Sequence, residues 1–281
     1  MIPIVAVIAP GMMGSAVAGR LTQHRIRVIT ALAGRSADSV ARAAAAGMAG
    51  VTDGEIANAD ILLSIVPPGE ALALAERLAP HLAAANRKPV YVDCNAVNPA
   101  TVTRIAAVIE ATGARFVDGG IIGGPPAPGS IGTSIYVSGP CAPELAVLSE
   151  HGLEIRVLDA AIGAASALKM SYAGITKGFT ALGAAMMLAA TRGGAADDLR
   201  RELAASQPEL YGWLRRQTPK MYSKAYRWVA EMEEIAGFTG EAASGGKIFA
   251  GAAEFYQRIA EDFATGKRET GAIDDFLKPR N

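Results

Sequence analysis

A short glycine-containing turn near the start of the chain has the spacing of a phosphate-binding site. The stretch VIAPGMMGSA matches the dinucleotide-binding pattern G-x-G-x-x-G at its second and third glycines, Gly11 and Gly14, and carries Ala9 at the first. In that pattern the second glycine lets the backbone approach a pyrophosphate, and the third lets the helix pack closely on the strand. Amides at the start of the following helix, such as those of Met12 and Met13, point toward a bound anion. The turn predicts dinucleotide binding, with a purely structural turn as the alternative.

A positive side chain follows the second strand-like run, at the position where a dinucleotide-binding site contacts the adenosine ribose. Arg35 stands twenty-one residues after Gly14 and beside Ser36, and no acidic residue lies between Ile26 and Ala37. Sites for NAD carry an acid there to accept from the ribose 2′-hydroxyl, whereas the extra phosphate of NADP needs a cation. An arginine holds a phosphate through two hydrogen bonds and stays charged at any ordinary pH. We therefore expect NADP (NADPH) as the cofactor, with a solvated loop arginine as the alternative.

The bulk composition excludes several classes of function. The 281 residues carry 27 basic and 27 acidic side chains, and this zero net charge argues against nucleic acid or an anionic membrane as the main partner. Three scattered histidines and two cysteines, Cys94 and Cys141, form no pair at metal-ligand spacing, so no metal is expected and a reducing cytoplasm is favoured. The apolar N-terminus lacks a basic segment and breaks at Pro10, too early to cross a bilayer.

The first half of the chain alternates short apolar runs with helical segments, as needed to position such a turn. The strand-like runs are IPIVAVIA, IRVIT, a short one near Gly50-Val51, ADILLSIVPP, PVYVDCN, ARFVDGG, TSIYVSG and EIRVLD. Strands that are apolar on both faces are typical of a parallel sheet covered by helices on both sides. Residues 1–160 are therefore predicted to form a doubly wound α/β domain, with helices near 15–23, 37–46, 70–82 and 99–112.

The second half changes to long helical stretches without a convincing strand. Residues 161–281 are therefore predicted to form an all-α domain, with helices near 163–191, 197–206, 219–236 and 247–264. In the first of them, apolar residues recur every three or four positions and form one stripe: Leu168, Tyr172, Ile175, Phe179, Leu182 and Met186. Charged residues interrupt this helix too often for a membrane span: Lys169, Lys177 and Arg192.

Small residues in that helix suit close packing against a second helix. Gly174, Gly178 and Gly183 lie among many alanines, and glycines let two backbones approach. This pattern fits a homodimer in which the helices of two subunits pack together. Packing within one chain is an equally good interpretation.

Five motifs in order give nearly the whole chain a resemblance to a known superfamily. VIAPGMMGSAVA resembles the G-x-G-x-M-G opening of the β-hydroxyacid dehydrogenases, the group of 3-hydroxyisobutyrate and 6-phosphogluconate dehydrogenases. ILLSIVPP, VDCNAVNPAT, FVDGGIIGG and GAASALKMSYAG resemble its fourth-strand, nicotinamide-side, substrate-loop and catalytic-lysine motifs. The resemblance implies a Rossmann domain with Val66, Pro67 and Asn95 beside the cofactor, acting on a small-molecule substrate. The helical half is most similar to a less characterised branch with a 6-phosphogluconate-dehydrogenase-like C-terminal domain.

The resemblance assigns the proton transfer to Lys169. Hydride movement between nicotinamide and a carbinol carbon leaves an oxygen that must lose or gain a proton, and a positioned ammonium can do both. Lysine suits this role when burial or a neighbouring cation lowers its pKa. The surrounding AASALKMSYAG is apolar, which favours desolvation. A lysine reaching from an amphipathic helix into solvent is the alternative.

Departures from the family pattern bear on the substrate. Ile122 stands where the family has a serine before two glycines, here Gly123 and Gly124, whose backbone amides can still bind an anion or an oxygen. Tyr172 lies where an asparagine usually follows the lysine, and it can hydrogen-bond the substrate or simply pack. Thr176 replaces the glutamate that assists decarboxylation in 6-phosphogluconate dehydrogenase. These changes argue against that decarboxylation and favour a less polar or differently shaped substrate than a small hydroxy acid.

The sequence therefore predicts an NADP-dependent dehydrogenase or reductase that acts on a hydroxyl/carbonyl pair. An imine reductase is a second interpretation, because that relative shares the architecture and commonly has Asp or Tyr at the lysine position. Lys169 argues for oxygen chemistry, whereas Tyr172 keeps the imine interpretation open. A third interpretation is a dinucleotide-binding protein that binds NADPH without transferring hydride.

Overall fold

Two compact units make up the chain in the computed structural model, which describes residues 2–126, 132–240 and 243–278. The units are Met1–Met170 and Ser171–Asn281. The sequence placed the boundary after residue 160. The first turns of the helix that begins at Ala164 belong with the sheet because side chains of the sheet hold them, as described below.

Within the described residues, eight strands form one sheet in the first unit. They are β1 (Ile4–Ile8), β2 (Arg27–Ala31), β3 (Ala49–Val51), β4 (Ile61–Ser64), β5 (Val90–Asp93), β6 (Arg115–Ile122), β7 (Ser134–Ser138) and β8 (Glu154–Val157). Their order is β3-β2-β1-β4-β5-β6-β7-β8, and every neighbouring pair is parallel except β6 and β7. The predicted doubly wound sheet is confirmed, with one antiparallel pair that the sequence did not reveal.

Helices cover both faces of this sheet. They are α1 (Met12–Gln23), α2 (Ala37–Ala45), α3 (Asp53–Ile56), α4 (Ala71–Ala84) and α5 (Pro99–Glu110), with 3₁₀ turns at Pro68–Glu70 and Ala142–His151. Successive strand residues point to opposite faces, so Val5 and Val7 pack in one apolar cluster while Ala6 and Ile8 pack in the other. Because both faces are buried, the strands read as continuous apolar runs.

Local signals set the beginning of several helices. Asn98 accepts a hydrogen bond from the amide of Thr101 at 2.9 Å, and Pro99 occupies the first turn of α5. Ser36 caps α2 by accepting from the amide of Ser39 at 3.3 Å. These caps satisfy amides that have no partner inside the helix, and proline is preorganised for the first helical position.

The second unit is helical, and the described residues beyond Val157 contain no strand, as predicted. Its helices are most of α6 (Ala164–Arg192), followed by α7 (Ala196–Ser206), α8 (Pro208–Gln217), α9 (Ala225–Thr239), α10 (Ser244–Ala264) and α11 (Arg268–Leu277), with a 3₁₀ turn at Thr218–Met221. The sequence did not predict α3, α8 or α11. The start of α11 depends on a carboxylate of the preceding helix, since Asp262 accepts from the amides of Arg268, Glu269 and Thr270 at 2.9, 3.0 and 2.9 Å.

The glycines of α6 accommodate side chains of this same unit. A Cβ atom at Gly174 or Gly178 would lie 3.2 or 3.4 Å from the ring of Phe249, and one at Gly183 would lie 2.5 Å from Leu214. Packing within the chain, one of the two predicted roles, therefore explains these three glycines.

The apolar stripe of α6 is largely exposed. Tyr172, Ile175, Phe179, Leu182 and Met186 are each between 50 and 61% exposed. Contrary to the expectation from Lys169, Lys177 and Arg192, α6 is long and apolar enough to cross a membrane, since its most apolar 18-residue window has a mean hydropathy of 1.3, and 39% of that window is buried. An exposed row of large apolar side chains indicates a surface that another body covers.

Candidate active site

The strand order reverses at β1 and β4, and this reversal opens a crevice at their carboxyl ends. In doubly wound sheets ligands bind at such a switch point. The glycine turn follows β1, and the loop containing Val66 and Pro67 follows β4. The two connections are joined directly, because the amide of Ala9 donates to the carbonyl of Ile65 at 3.1 Å. The topology therefore brings two of the predicted cofactor segments together.

The glycine turn has the geometry that a dinucleotide requires. A Cβ atom at Gly11 would meet nothing within 4 Å, so the space in front of the turn is open. A Cβ atom at Gly14 would lie 2.0 Å from the carbonyl oxygen of Ala9, which no L side chain can tolerate. Gly14 thus allows α1 to lie against the end of β1. The first position tolerates Ala9, which is buried.

The two methionines after Gly11 face different surroundings. Met12 is 60% exposed, whereas the side chain of Met13 packs against the apolar core under the sheet. Both residues lie in the first turn of α1, whose unpaired amides form the anion-binding end of the helix. Their backbone amides are therefore the groups available to a cofactor, and their contact with it stays a prediction.

The segment predicted to contact the ribose lies after β2. Arg35 is half-buried, and its amide closes a turn by donating to the carbonyl of Leu32 at 3.1 Å. Ser36 follows and caps α2. The chain therefore turns sharply after β2 and places a cation and a hydroxyl at the carboxyl edge of the sheet.

A buried polar network holds the loop after β4. The side-chain oxygen of Asn95 accepts from the amide of Val66 at 2.6 Å. The side-chain nitrogen of Asn95 donates to Ser64 Oγ at 2.8 Å and to Asp93 Oδ2 at 2.9 Å. Pro67 is exposed beside this loop. Asn95, predicted as a cofactor neighbour, therefore fixes the backbone of Val66.

Sequence reasoning missed Asp93 and Ser64, which orient Asn95. Asp93 also accepts from the backbone amide of Asn95 at 3.0 Å, so both carboxylate oxygens bind the same residue. Both missed residues end apolar strands, and a polar residue at the carboxyl end of a buried strand was the signal available. Burial raises the pKa of Asp93 to about 7, while the hydrogen bonds from Asn95 oppose that shift and the nearby Asp118 adds to it.

The thiol beside this network is inert. Cys94 is buried, and desolvation with the nearby carboxyls raises its pKa well above the ordinary value. A thiol that stays protonated is a poor nucleophile. Cys94 and Cys141 are both free cysteines, and the reducing cytoplasm stays a prediction.

The start of α6 is held by one buried carboxylate of β6. Asp118 Oδ2 accepts from the amides of Gly163 and Ser166 at 2.9 and 3.0 Å, and Asp118 Oδ1 accepts from Ser166 Oγ at 2.6 Å. Ser138 Oγ on β7 donates to Asp118 at 2.9 Å and accepts from the amide of Ala165 at 3.0 Å. The first turn of the helix is therefore bound to two strands of the sheet.

This anchor places the lysine at the carboxyl end of β6. Lys169 lies one turn after Ser166, is half-buried, and donates its ammonium to the carbonyl of Ile121. Gly120 makes the close approach possible, since a Cβ atom there would lie 2.8 Å from the carbonyl of Ala165 and 3.2 Å from Lys169 Cβ. The amine therefore stands at the same edge of the sheet as the glycine turn.

The predicted substrate segment begins where β6 ends. Ile122 is half-buried at the last position of β6, and Gly123 and Gly124 are exposed. Gly123 has φ of +118°, and a Cβ atom there would lie 1.9 Å from the carbonyl of Gly132, so only glycine fits. Thr133 Oγ1 donates to the carbonyl of Gly124. These contacts bring Gly123 and Gly124, after β6, close to Gly132 and Thr133, before β7.

Two predicted substrate residues, Tyr172 and Thr176, belong to the second unit. Tyr172 is half exposed, and the hydroxyl of Thr176 donates to the backbone carbonyl of Tyr172 at 2.9 Å. Their contribution to substrate binding stays a prediction.

Family comparison identifies two regions of the chain. Residues 4–143 match the NAD binding domain of 6-phosphogluconate dehydrogenase, and residues 190–259 match a domain of unknown function, DUF1932. An uncharacterized 28.5 kDa protein in the 7S RNA 5′ region of Methanothermus fervidus is 32% identical over 144 residues, which are 51% of this chain and 53% of that protein. The match therefore spans about half the length of that relative.

Solved structures share the fold over nearly the whole chain. The conserved protein MTH1747, described as structurally similar to 3-hydroxyacid dehydrogenases, is 27% identical with a TM-score of 0.69, covering 92% of this chain and 98% of its own. The 3-hydroxyisobutyrate dehydrogenase of Mycobacterium tuberculosis, solved with L-serine, is 19% identical with a TM-score of 0.71, covering 98 and 99%.

Imine reductases have the same architecture. That of Myxococcus stipitatus, solved with NADP+, is 18% identical with a TM-score of 0.58, covering 98% of this chain and 100% of its own, and a variant of it was solved with NAD+. The first unit of the present chain therefore contains an NAD(P)-binding domain of the 6-phosphogluconate dehydrogenase type.

The buried carboxyl of Asp93 predicts a pH dependence of stability. Its pKa is raised from 3.8 to about 7 on folding, so between these values the folded chain binds more protons than the unfolded chain. The free energy of unfolding should therefore fall as the pH rises through this window. Urea unfolding measures this free energy at pH 5 and at pH 8. Between these pH values the wild type should lose at least about 1 kcal/mol more than Asp93→Asn, since one pKa unit corresponds to about 1.4 kcal/mol.

Asp38→Asn serves as the control, because Asp38 is exposed and should leave the slope unchanged. An unfolding free energy whose pH dependence is the same in wild type and Asp93→Asn would show that Asp93 is ionised in both states.

Proposed function

Because the chain belongs to the β-hydroxyacid dehydrogenase-like superfamily, we propose that it is an NADP-dependent oxidoreductase that interconverts a hydroxyl and a carbonyl group, with Lys169 as general acid and base. One observation carries this proposal. The ammonium of Lys169 lies on the carbonyl of Ile121 at the carboxyl end of β6, the sheet edge that also carries Gly11 and Val66. A proton donor and a dinucleotide crevice thus share one edge of one unit.

The residues present fit a dinucleotide. The open space at Gly11 and the close approach at Gly14 suit a pyrophosphate on the amides of α1, and the backbone at Val66 is held beside the crevice by Asn95. Reduced nicotinamide, when bound, supplies the hydride to the carbonyl carbon. Lys169 supplies the proton to the carbonyl oxygen in that direction and accepts it in the reverse direction.

The phosphorylated form of the cofactor is proposed from Arg35 and Ser36. A guanidinium can take a phosphate with two charge-assisted hydrogen bonds, and the hydroxyl of Ser36 can rotate from Ser39 Oγ to add a neutral donor. No acidic residue stands between Ile26 and Ala37 to accept from a ribose hydroxyl. The charge at this point of the chain therefore favours NADP over NAD.

The substrate is proposed to be a small molecule of low polarity. Ile122 brings an apolar side chain to the end of β6, where a serine would have held a carboxylate. The backbone amides at Gly123 and Gly124 still offer donors to one oxygen of the substrate. An apolar pocket with few polar groups selects ligands by shape and by a single oriented carbonyl.

The exposed stripe of α6 is proposed to contact a second copy of the chain. In the second unit, Ile175, Phe179 and Leu182 form one wall of a groove of about 440 Å³ whose other wall is Ile248 and Phe255 of α10. Because the stripe itself forms one wall of this groove, two copies related by a two-fold axis can each place apolar side chains in the groove of the other. A homodimer would cover the stripe and the groove, which together form a larger apolar patch than monomeric proteins usually expose.

Removing the ammonium of Lys169 should abolish most of the activity. In Lys169→Met, turnover should fall at least about a hundredfold, the usual size of acid-base catalysis, with NADPH affinity changed less than about twofold. NADPH oxidation should be followed with a panel of aldehydes, keto acids and cyclic imines, and Lys220→Met should retain full turnover because Lys220 is exposed in the second unit.

Each alternative has its own signature in that screen. Unchanged turnover in Lys169→Met places the proton relay elsewhere. Oxidation with imines alone favours the imine reductase interpretation, and tight NADPH binding without oxidation of any kind favours a non-catalytic protein.

Cofactor preference should depend on Arg35. Fluorescence titration should show NADPH binding at least about tenfold more tightly than NADH, the effect of one charge-assisted hydrogen-bonding partner. Arg35→Ala should remove most of this difference while changing NADH affinity little. Equal affinities for the two nucleotides in the wild type would refute the phosphate assignment.

The dimer should depend on the apolar stripe. Light scattering after gel filtration should give twice the chain mass of 28.9 kDa for the wild type, and Leu182→Glu should shift the protein to the monomer. Leu210→Glu, an equally charged change at an exposed leucine of α8, should remain dimeric. A monomeric wild type that floats with lipid vesicles would instead identify the stripe as a membrane contact.

A further inference from the structure

A second arginine reaches the cofactor crevice from α2. Arg42 is half-buried, and its Nε donates to the carbonyl of Pro10 at 3.1 Å. Pro10 lies within the glycine turn, directly before Gly11. The guanidinium of Arg42 is therefore fixed beside the connection that follows β1, although the residue itself lies seven positions after Arg35 along the chain.

Hydroxyl groups connect Arg42 to the segment predicted to contact the ribose. Arg42 Nη2 donates to Ser39 Oγ at 2.9 Å, and Ser36 Oγ donates to Ser39 Oγ at 3.1 Å. Ser36 is the neighbour of Arg35. Hydrogen bonds thus run along α2 from Ser36, at its start, through Ser39 to the guanidinium of Arg42 in its last turn.

The chemistry of this line suits a phosphate ester. A guanidinium has five N–H donors in a rigid plane, and in Arg42 the bonds to Pro10 and Ser39 set the direction of that plane. A phosphate monoester carries nearly two negative charges and three acceptor oxygens, which one arginine alone neutralises incompletely. Asp38 lies one turn before Arg42 on α2 but is exposed, where solvent and salt screen its charge.

We propose that Arg42, oriented by Pro10 and Ser39, is a specificity-determining residue that binds the 2′-phosphate of NADP together with Arg35. The inference rests on the proposed NADP preference. It assigns the phosphate to two cations from different parts of the connection after β2, one in the turn and one in the helix. Because Arg42 also touches the glycine turn, it links the part of the site that selects the phosphate to the part that holds the pyrophosphate.

A rival role for Arg42 is purely structural. In that role the hydrogen bond from Arg42 to Pro10 would stabilise the glycine turn, and its loss would weaken the binding of every adenine nucleotide equally. As a phosphate ligand, it would affect only nucleotides that carry the 2′-phosphate. The two roles therefore differ in a binding measurement that needs no turnover.

The experiment compares 2′,5′-ADP with 5′-ADP by isothermal titration calorimetry on the full chain. Arg42→Gln keeps an amide donor and removes the charge, and it should weaken 2′,5′-ADP binding at least about tenfold while changing 5′-ADP binding less than about twofold. Arg42→Lys keeps the positive charge but lacks the planar set of guanidinium donors, and it should recover part of the lost 2′,5′-ADP affinity. Arg27→Ala removes an exposed cation at the amino end of β2, the opposite edge of the sheet, and should leave both affinities unchanged.

Thermal unfolding of each variant checks that the fold is retained. Should Arg42→Gln fail to fold, Ser39→Ala provides the second measurement, because loss of the orienting hydroxyl should weaken 2′,5′-ADP binding about two- to fivefold and leave 5′-ADP binding intact. If these variants bind both nucleotides more weakly by the same factor, the role of Arg42 is structural and the proposal is overturned. Unchanged binding of both nucleotides overturns it as well.

The outcome for the wild type separates this inference from the function on which it rests. A wild type that binds 2′,5′-ADP no more tightly than 5′-ADP refutes the NADP assignment itself, and with it the proposed role of Arg42. A wild type that prefers 2′,5′-ADP, with a preference that Arg42→Gln leaves intact, refutes only the role of Arg42.

Discussion

The carboxylate of Asp118 determines where the amine of Lys169 lies, and therefore where the proposed proton transfer can occur. It lies in the middle of β6, removed from solvent, and a buried carboxylate is stable only when hydrogen bonds compensate for its lost hydration. The amides at the start of α6 and the hydroxyls of Ser138 and Ser166 supply that compensation. The same bonds fix the direction and register of α6, so the amine of Lys169 is delivered to the carboxyl end of β6.

Close backbone contact is the second constraint on the site, and glycines provide it. Gly14 allows α1 to lie on the end of β1, and Gly120 allows α6 to lie on β6. Side chains at either position would push a helix away from the sheet and displace the groups it carries. The site is therefore built by two helices held unusually near to strand ends, with the loop at Val66 fixed between them by Asn95.

The local patterns of the sequence predicted the strand-helix alternation, the glycine turn and the cation after β2, because each depends on neighbouring residues. Asp93 and Ser64 escaped notice because a single polar residue at the end of an apolar strand has no periodic signature. The sequence did not indicate a role for Arg42, because its contact with Pro10 joins segments thirty-two residues apart. The helix α11 was missed for a related reason, since its first amides are capped by Asp262 of the preceding helix.

By itself the sequence determined the class of the fold, the order of its elements and the residue types available for chemistry, since apolar periodicity and turn residues act over a few positions. Only the tertiary structure decided which polar side chains meet. The glycines of α6 face Phe249 and Leu214 of the same unit, and the apolar stripe is left exposed. Such choices depend on the packing of segments far apart in the chain, where burial and hydrogen-bond satisfaction in three dimensions select one arrangement.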